Sequence, residues 1–182
     1  MSTIVETHKA LPVGTWTADP AHSRVEFAVD YLVGRFRGSF SPFEATLEVG
    51  GNGEATLSGA ARAENVKVQD ENLTAHLQTP DFFDAERAPE LRFESTATRF
   101  EGDEIVVEGE LTVRGETRPV ELRGEVKDQI TDPYGNERIG LTLRTTVDRT
   151  AFGITWNNPL PSGDPALAND VELTAELYMV KA

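Results

Sequence analysis

Apolar and polar residues alternate with a period of two along most of the chain, which is the signature of half-buried β-strands. In Ser23–Tyr31 the apolar series is Val25, Phe27, Val29 and Tyr31, set against Arg24, Glu26 and Asp30. The same pattern recurs over Glu44–Val49, Glu54–Ala63, Leu91–Ala97, Ile105–Val113, Val120–Lys127, Ile139–Val147 and Val171–Val180, which predicts eight strands. Turn signals separate many of them: Gly50–Gly53, Glu101–Glu104, Gly115–Pro119 and Asp132–Asn136 combine residues that accept positive φ or fix φ. Such short connections make antiparallel pairing the default. One stretch reads as helix, with Asp70 capping Glu71–Gln78 and Leu73 and Leu77 forming its apolar side. Thr79-Pro80 predicts a cap and first position for a second short turn, Pro80–Glu86. The longest irregular segment is Asn157–Asp170, rich in Pro, Gly and Asn.

Eight strands that are apolar on one face must bring those faces together, in a sandwich or a closed barrel. Strands of this length favour a barrel, and eight strands enclose space that side chains fill or one small ligand occupies. The inward phase contains small residues: Ala55, Gly59, Ala61, Ala63, Ser95, Gly109, Gly124 and Ala175. Two outcomes stay open on this evidence, ordinary large-against-small packing and a hollow interior.

The 182 residues suit one domain, with residues 1–14 expected as a flexible N-terminal tail and 15–182 as the barrel. A net charge of −14 disfavours nucleic acid and anionic membrane surfaces as partners. There is no cysteine, so a disulfide scaffold, a thiolate nucleophile and cysteine-based metal sites are excluded. The N-terminus lacks a basic start followed by an apolar run, and nowhere does an apolar stretch reach the length of a membrane span. The expectation is a cytoplasmic protein without stable membrane insertion.

Candidate chemistry is sparse. The three histidines, His8, His22 and His76, share no metal-ligand spacing, so neither metal nor cofactor is expected. Asp19-Pro-Ala-His22-Ser23 contains the residue types of a catalytic triad. Adjacent residues entering a strand point to opposite faces, however, and no nucleophile elbow is present. The better reading is a polar start to a strand in which Asp19 and His22 satisfy backbone groups. Aromatic residues cluster: Phe82-Phe83 and Phe93, then Phe36, Phe40 and Phe43, then Phe152 and Trp156 beside the long loop. They read as barrel plugs or as the lining for an apolar ligand. Arg35 and Arg37 form a basic spot in an acidic chain, as part of a solvated loop or as a receiver for an anionic head group.

Five stretches, in order, resemble the YceI-like family of lipocalin-like polyisoprenoid-binding proteins. They are Trp16–Phe27, Gly34–Phe40, Thr79–Ser95, Gly109–Val120 and Arg149–Ile154. The resemblance implies an all-β fold, an eight-stranded antiparallel lipocalin-like barrel with a short helical segment around an elongated apolar pocket. It implies binding or carriage of an amphiphile such as a polyisoprenoid, an isoprenoid quinone or a similar lipid, without catalysis, and a homodimer as one expected assembly. His22, Phe27, Phe83, Phe93 and Phe152 fall in the matched motifs. Together with inward-phase residues they make a candidate ligand-binding set: His22, Phe27, Val29, Leu47, Leu57, Gly59, Ala61, Phe83, Phe93, Leu111, Leu141, Leu143, Phe152, Trp156 and Leu177. Two rival readings are a small barrel enzyme acting on an apolar substrate with His22 near its site, and a structural β-domain with a filled core.

Overall fold

Each of the eight alternating segments forms a β-strand in the structure, a computed structural model that describes residues 10–182. They are β2 (Arg24–Tyr31), β4 (Phe43–Val49), β5 (Ala55–Arg62), β7 (Glu90–Glu101), β8 (Glu104–Val113), β9 (Glu116–Thr131), β10 (Glu137–Asp148) and β11 (Leu167–Lys181). Three shorter strands extend three of them: β1 (Gly14–Ala18) runs into β2, β3 (Gly34–Phe40) into β4, and β5 into β6 (Val66–Lys67). The breaks fall at the bend 19–23, at Ser41-Pro42, and at a 3-10 turn over Ala63–Asn65. Counted as continuous walls, these make an eight-stranded antiparallel closed barrel with one short helix.

Closure depends on β11. Its C-terminal end pairs with β1, with Trp16 opposite Lys181 and Ala18 opposite Met179, and its earlier part pairs with β2, with Val171 opposite Val29. The other walls follow chain order: β1–β4 and β2–β3, then β4–β5, β5–β7, β7–β8, β8–β9, β9–β10 and β10–β11. One end, the base, carries the turns 50–54, 101–104 and 132–136. The other end, the mouth, carries the hairpin tip 32–33, the helix, the turn at Arg114-Gly115 and the segment 149–166.

The base is packed solid. Trp16, Leu47, Ile105, Leu141 and Met179 meet there, and Trp16, Ile105 and Met179 are fully excluded from solvent. The Trp16 indole N–H donates to the Pro12 carbonyl at 3.0 Å, so the one polar atom of that side chain is satisfied. The expected tail, 1–14, lies outside the described residues as far as position 9. Beyond it Leu11 is buried in the base, while Ala10 and Val13 are exposed.

Several local expectations need correction. Gly34–Phe40 is strand rather than loop, and its alternation sends Phe36 inward and Arg35 outward, where Arg35 meets Glu172 at 2.9 Å. Gly115–Pro119 is not one turn. The reversal occurs at Arg114-Gly115, both with positive φ, and Pro119 lies within β9, where that strand has left β10 and its missing N–H costs no ladder bond. A bulge between Ser95 and Ala97 inverts the phase of β7, so Ala97 is exposed and Phe100 turns inward. Gly109 and Gly124 do not create free volume. A Cβ on Gly109 would overlap the Phe93 ring and the Glu94 carbonyl, and one on Gly124 would overlap the Thr142 carbonyl.

The helix forms as the capping pattern predicts. α1 spans Glu71–Leu77, and the Asp70 carboxylate accepts from the Asn72 and Leu73 N–H groups at 2.8 and 3.2 Å. Pro80–Glu86 is a series of turns rather than a second helical turn. The Thr79 hydroxyl reaches back to the His76 carbonyl instead of capping forward, and Asp84 has φ of 51°, outside the helical region.

Candidate functional site: an apolar cavity under the mouth

Above the packed base the barrel is hollow, with a cavity of about 320 Å³. That volume lies at the lower end of the usual range for small-molecule sites. Strand alternation supplies the walls. β2 contributes Val25, Phe27 and Val29; β3 and β4 contribute Phe36, Phe40 and Phe43; β5 contributes Leu57, Gly59 and Ala61. Phe93, Leu111, Leu143, Leu173 and Leu177 complete the wall, Phe93 beside Gly59 and Leu173 beside Phe27.

Four aromatic rings pack along one wall. Phe27 lies 5.9 Å from Phe40 and 6.1 Å from Phe83, and Phe40 meets Phe83 edge-on at 5.3 Å. Phe36 completes the group at 6.3 Å from Phe27. These separations suit attractive ring pairs, so the rings hold one another while leaving their inner faces on the cavity. Phe83 reaches this position because its N–H donates to the Leu77 carbonyl at 2.9 Å, folding the 78–89 segment back against the end of α1.

The mouth has its own aromatic cluster. His76 on α1 stands edge-on to Phe82 at 5.0 Å and to Trp156 at 5.3 Å, and Phe82 and Trp156 are 5.2 Å apart. The ring is oriented by Asp81, whose carboxylate lies 2.9 Å from His76 Nε2.

Arg149 organises the side of the mouth formed by the long loop. It is 5% exposed and has no carboxylate partner among the described residues; its guanidinium donates to the carbonyls of Ala168, Ile154, Trp156 and Leu167 at 2.8 to 3.4 Å. Burial pushes this guanidinium below its usual pKa, with Asp148 opposing the shift. Asn157 holds the same loop from within: its side-chain oxygen accepts from Ala166 and Leu167 N–H, and its amide donates to the Leu167 carbonyl at 2.8 Å. Gly153, with φ of 77°, ends the short turn Arg149–Phe152 and lets the chain double back. The irregular stretch expected over Asn157–Asp170 therefore ends earlier, since β11 begins at Leu167.

Of the residues singled out from the sequence, twelve lie on the cavity wall: Phe27, Val29, Leu57, Gly59, Ala61, Phe83, Phe93, Leu111, Leu143, Phe152, Trp156 and Leu177. Three do not. Leu47 and Leu141 belong to the packed base, because alternation identifies a face but not a height along the barrel. His22 is on the outside, its side chain 63% exposed, with Nδ1 2.8 Å from the Asp19 carboxylate and its ring 5.5 Å from Tyr178. Asp19 in turn accepts from Arg138 and from the Ala21 N–H, and its carboxyl falls to about 2, chiefly through the His22 hydrogen bond. The Ser23 hydroxyl accepts from the Tyr178 N–H at 3.0 Å and faces no nucleophilic role with His22. Asp19, His22 and Ser23 thus secure the bend that carries β1 into β2.

The candidate set omitted His76, Leu173 and Ile154, which lie on the wall, and of the Phe82-Phe83 pair it kept only Phe83. His76 was readable as the only histidine on the predicted helix, one residue before its apolar Leu77. The role of Arg149 was not readable, because its partners are backbone carbonyls. Among the described residues no group of three or more His, Cys, Asp or Glu is placed to hold a metal ion, and no helix is long and apolar enough to cross a membrane.

The geometry has clear relatives. A UPF0312 protein of Staphylococcus aureus (strain N315) is 30% identical over 167 residues, covering 88% of this chain and 94% of its own. Burkholderia cenocepacia BcnA superposes with a TM-score of 0.75 at 18% identity, covering 91% of this chain and 99% of BcnA. The Campylobacter jejuni YCEI protein superposes at 0.70 with 21% identity, covering 82% and 87%. A polyisoprenoid binding domain from Saccharophagus degradans, implicated in plant cell wall breakdown, superposes at 0.64 with 9% identity, covering 92% and 98%. The profile of the YceI-like domain matches residues 16–179, nearly the whole barrel, and the chain belongs to the YceI-like family.

Proposed function

We propose that the protein binds an amphiphile with a long apolar tail, of the polyisoprenoid or isoprenoid-quinone kind, and carries or sequesters it without chemical change. The observation that carries this reading is the cavity of about 320 Å³ walled by Phe27, Phe40, Phe83, Phe93 and aliphatic side chains. The fold shared with the Saccharophagus degradans polyisoprenoid binding domain supports the same ligand class. Affinity comes from burial, about 0.8 kcal/mol for each CH₂ moved out of water. The walls discriminate weakly between tails of similar girth, since apolar contacts report volume more than identity. The polar end of the ligand stays at the mouth, near His76 and Trp156.

Native mass spectrometry and organic extraction of the purified protein test this reading, together with thermal denaturation in the presence of polyprenols and quinones. An apolar molecule recovered from the protein, or a raised melting temperature with either ligand, is the expected result. A protein that yields no such molecule and melts at the same temperature with every lipid added is a structural domain instead.

A further inference from the structure

We propose that the hairpin tip Leu32-Val33, at the mouth, inserts into the surface of a lipid bilayer and brings the open end of the barrel against it. The inference goes beyond the lipid-binding reading and rests on it for one step, the choice of a bilayer as the partner.

The tip is built at a cost. Tyr31 pairs with Gly34, so Leu32 and Val33 form a two-residue loop, and Leu32 has φ of 51°. Hairpin loops of this length place Gly, Asn or Asp at a positive φ, because a Cβ is crowded in that region. The base turns follow the rule, with Gly53, Gly102 and Gly135 taking the positive φ. At the mouth three residues with side chains take it as well, Leu32, Asp84 and Arg114. Asp84 is buried, and Arg114 uses its side chain to donate to the Pro80 carbonyl at 2.8 Å. Leu32, by contrast, is 57% exposed, and Val33 beside it is fully exposed. The fold gains little from two apolar side chains held out in water on a strained turn, so their contribution lies outside the molecule.

The tip is continuous with the cavity. Tyr31, just before it, and Phe36, just after it, both line the wall. The Leu32 N–H donates to the Ala166 carbonyl at 3.0 Å, which ties the tip to the loop that carries Trp156. Two further apolar side chains are exposed at this end: Leu73 of α1, which also lines the cavity, and Leu160 on the same loop. An apolar path therefore runs from the tip to the phenylalanine wall. At the base, the exposed Val13, Ile130 and Tyr134 stand over a solid core and lead nowhere.

Shape and charge select the partner. The tip is a projection flanked by Asp30 and Arg35, 3.8 Å apart, and not a broad apolar patch. A stable protein interface needs roughly 800 Å² on each side, whereas a fluid bilayer closes around a projection of any shape. Both signs of charge stand at this end, among them Asp81, Asp164, Arg35 and Arg114, and Arg114 has no carboxylate partner among the described residues. That mixture suits zwitterionic head groups, while the net charge of −14 opposes an anionic surface.

Flotation with phosphatidylcholine vesicles free of isoprenoid tests the docking, for the wild type, a tip variant (Leu32→Gly with Val33→Asn) and Tyr134→Ser at the base. The wild type and Tyr134→Ser should float with the vesicles. The tip variant should partition at least about tenfold more weakly, since two apolar side chains no longer enter the lipid. It should melt no lower than the wild type, because Gly suits the φ of position 32. It should also bind farnesol from solution as the wild type does, read by tryptophan fluorescence, yet draw polyprenol from vesicles more slowly. A wild type that does not float overturns the proposal, as does a tip variant that floats equally well. An equal loss in Tyr134→Ser overturns it too, by showing general adhesion. A tip variant that melts well below the wild type assigns the two side chains to the fold, and one that turns a wild-type dimer into a monomer in sedimentation assigns them to a second copy; either result overturns the docking. Farnesol binding without flotation removes the docking alone, whereas flotation without uptake of farnesol or polyprenol upholds the docking and removes the lipid-binding reading.

Discussion

The base and the mouth of this barrel are built by the same alternating strands and reach opposite outcomes. At the base, Trp16, Ile105, Leu141 and Met179 reach across from facing walls and leave no space. Toward the mouth, the inward positions of β5 are Gly59 and Ala61, and the rings of Phe27, Phe40 and Phe83, against which Ala61 packs, stack on one another. The strands separate there too: β9 pairs with β10 only as far as Arg123 and Arg144, and the short turn Arg149–Phe152 packs against β9 beyond that point. The lesson is a division of labour. One half supplies the core that stabilises the fold, which frees the other half to remain hollow.

The comparison can be broken most directly by truncation. Trp16→Ala should cost roughly 3–5 kcal/mol, since it empties a closed site. Phe83→Ala, at the edge of space that is already open, should cost less than half as much. Equal losses in urea denaturation would show that the mouth is as much a core as the base.

Arg149→Met comes next. It leaves four carbonyls without their donor, for an expected loss of about 1–3 kcal/mol. The Ala166 and Leu167 amides should exchange faster with solvent, because the loop they close has lost one of its two anchors. Unchanged protection at those amides would assign the loop's order to Asn157 alone.

Ala61→Phe sharpens the contrast from the other side. A ring added to a hollow region should change stability by less than about 1 kcal/mol, whereas the same change in the base would be overpacked. Lipid binding should be lost. A variant that melts normally and still binds polyprenol would show that β5 does not face the ligand.

The smallest effect concerns acid. Asp19 and Asp132, at the base, are held near 2, Asp19 chiefly by His22 and Asp132 chiefly by Arg138. Their ordinary value is about 3.9. The folded state therefore binds fewer protons than the unfolded state between those values. The stabilisation is complete above about pH 4 and is lost as the pH falls toward 2. Asp19→Asn should flatten that acid limb in urea titrations at successive pH values. A slope identical to the wild type would remove Asp19 from the account.

Much of this arrangement was legible in the chain. The eight alternating segments, the hairpin turns and the Asp70 cap are local features, set by side-chain periodicity and by residues with restricted or unusual backbone preferences. The errors share a different origin. Leu47 and Leu141 alternate as well as Leu57 and Leu143 do, yet two fill the base and two line the cavity, because height along the barrel depends on which strands face each other. A bulge breaks the alternation of Leu91–Ala97 after Ser95, and the strand Gly34–Phe40 was hidden by its arginines and glycines.

The sequence by itself determined that this chain forms antiparallel strands with one apolar face, that those faces must meet, and that no cysteine chemistry is available. The family motifs it carries are readable from the residues alone. Only the tertiary structure decided that the interior is half filled and half hollow, that His22 braces an outer bend while His76 stands at the mouth, and that Arg149 is spent on carbonyls. The physical reason is range. Periodicity and capping act between neighbours along the chain, whereas a cavity is the volume left when side chains from distant strands do not meet.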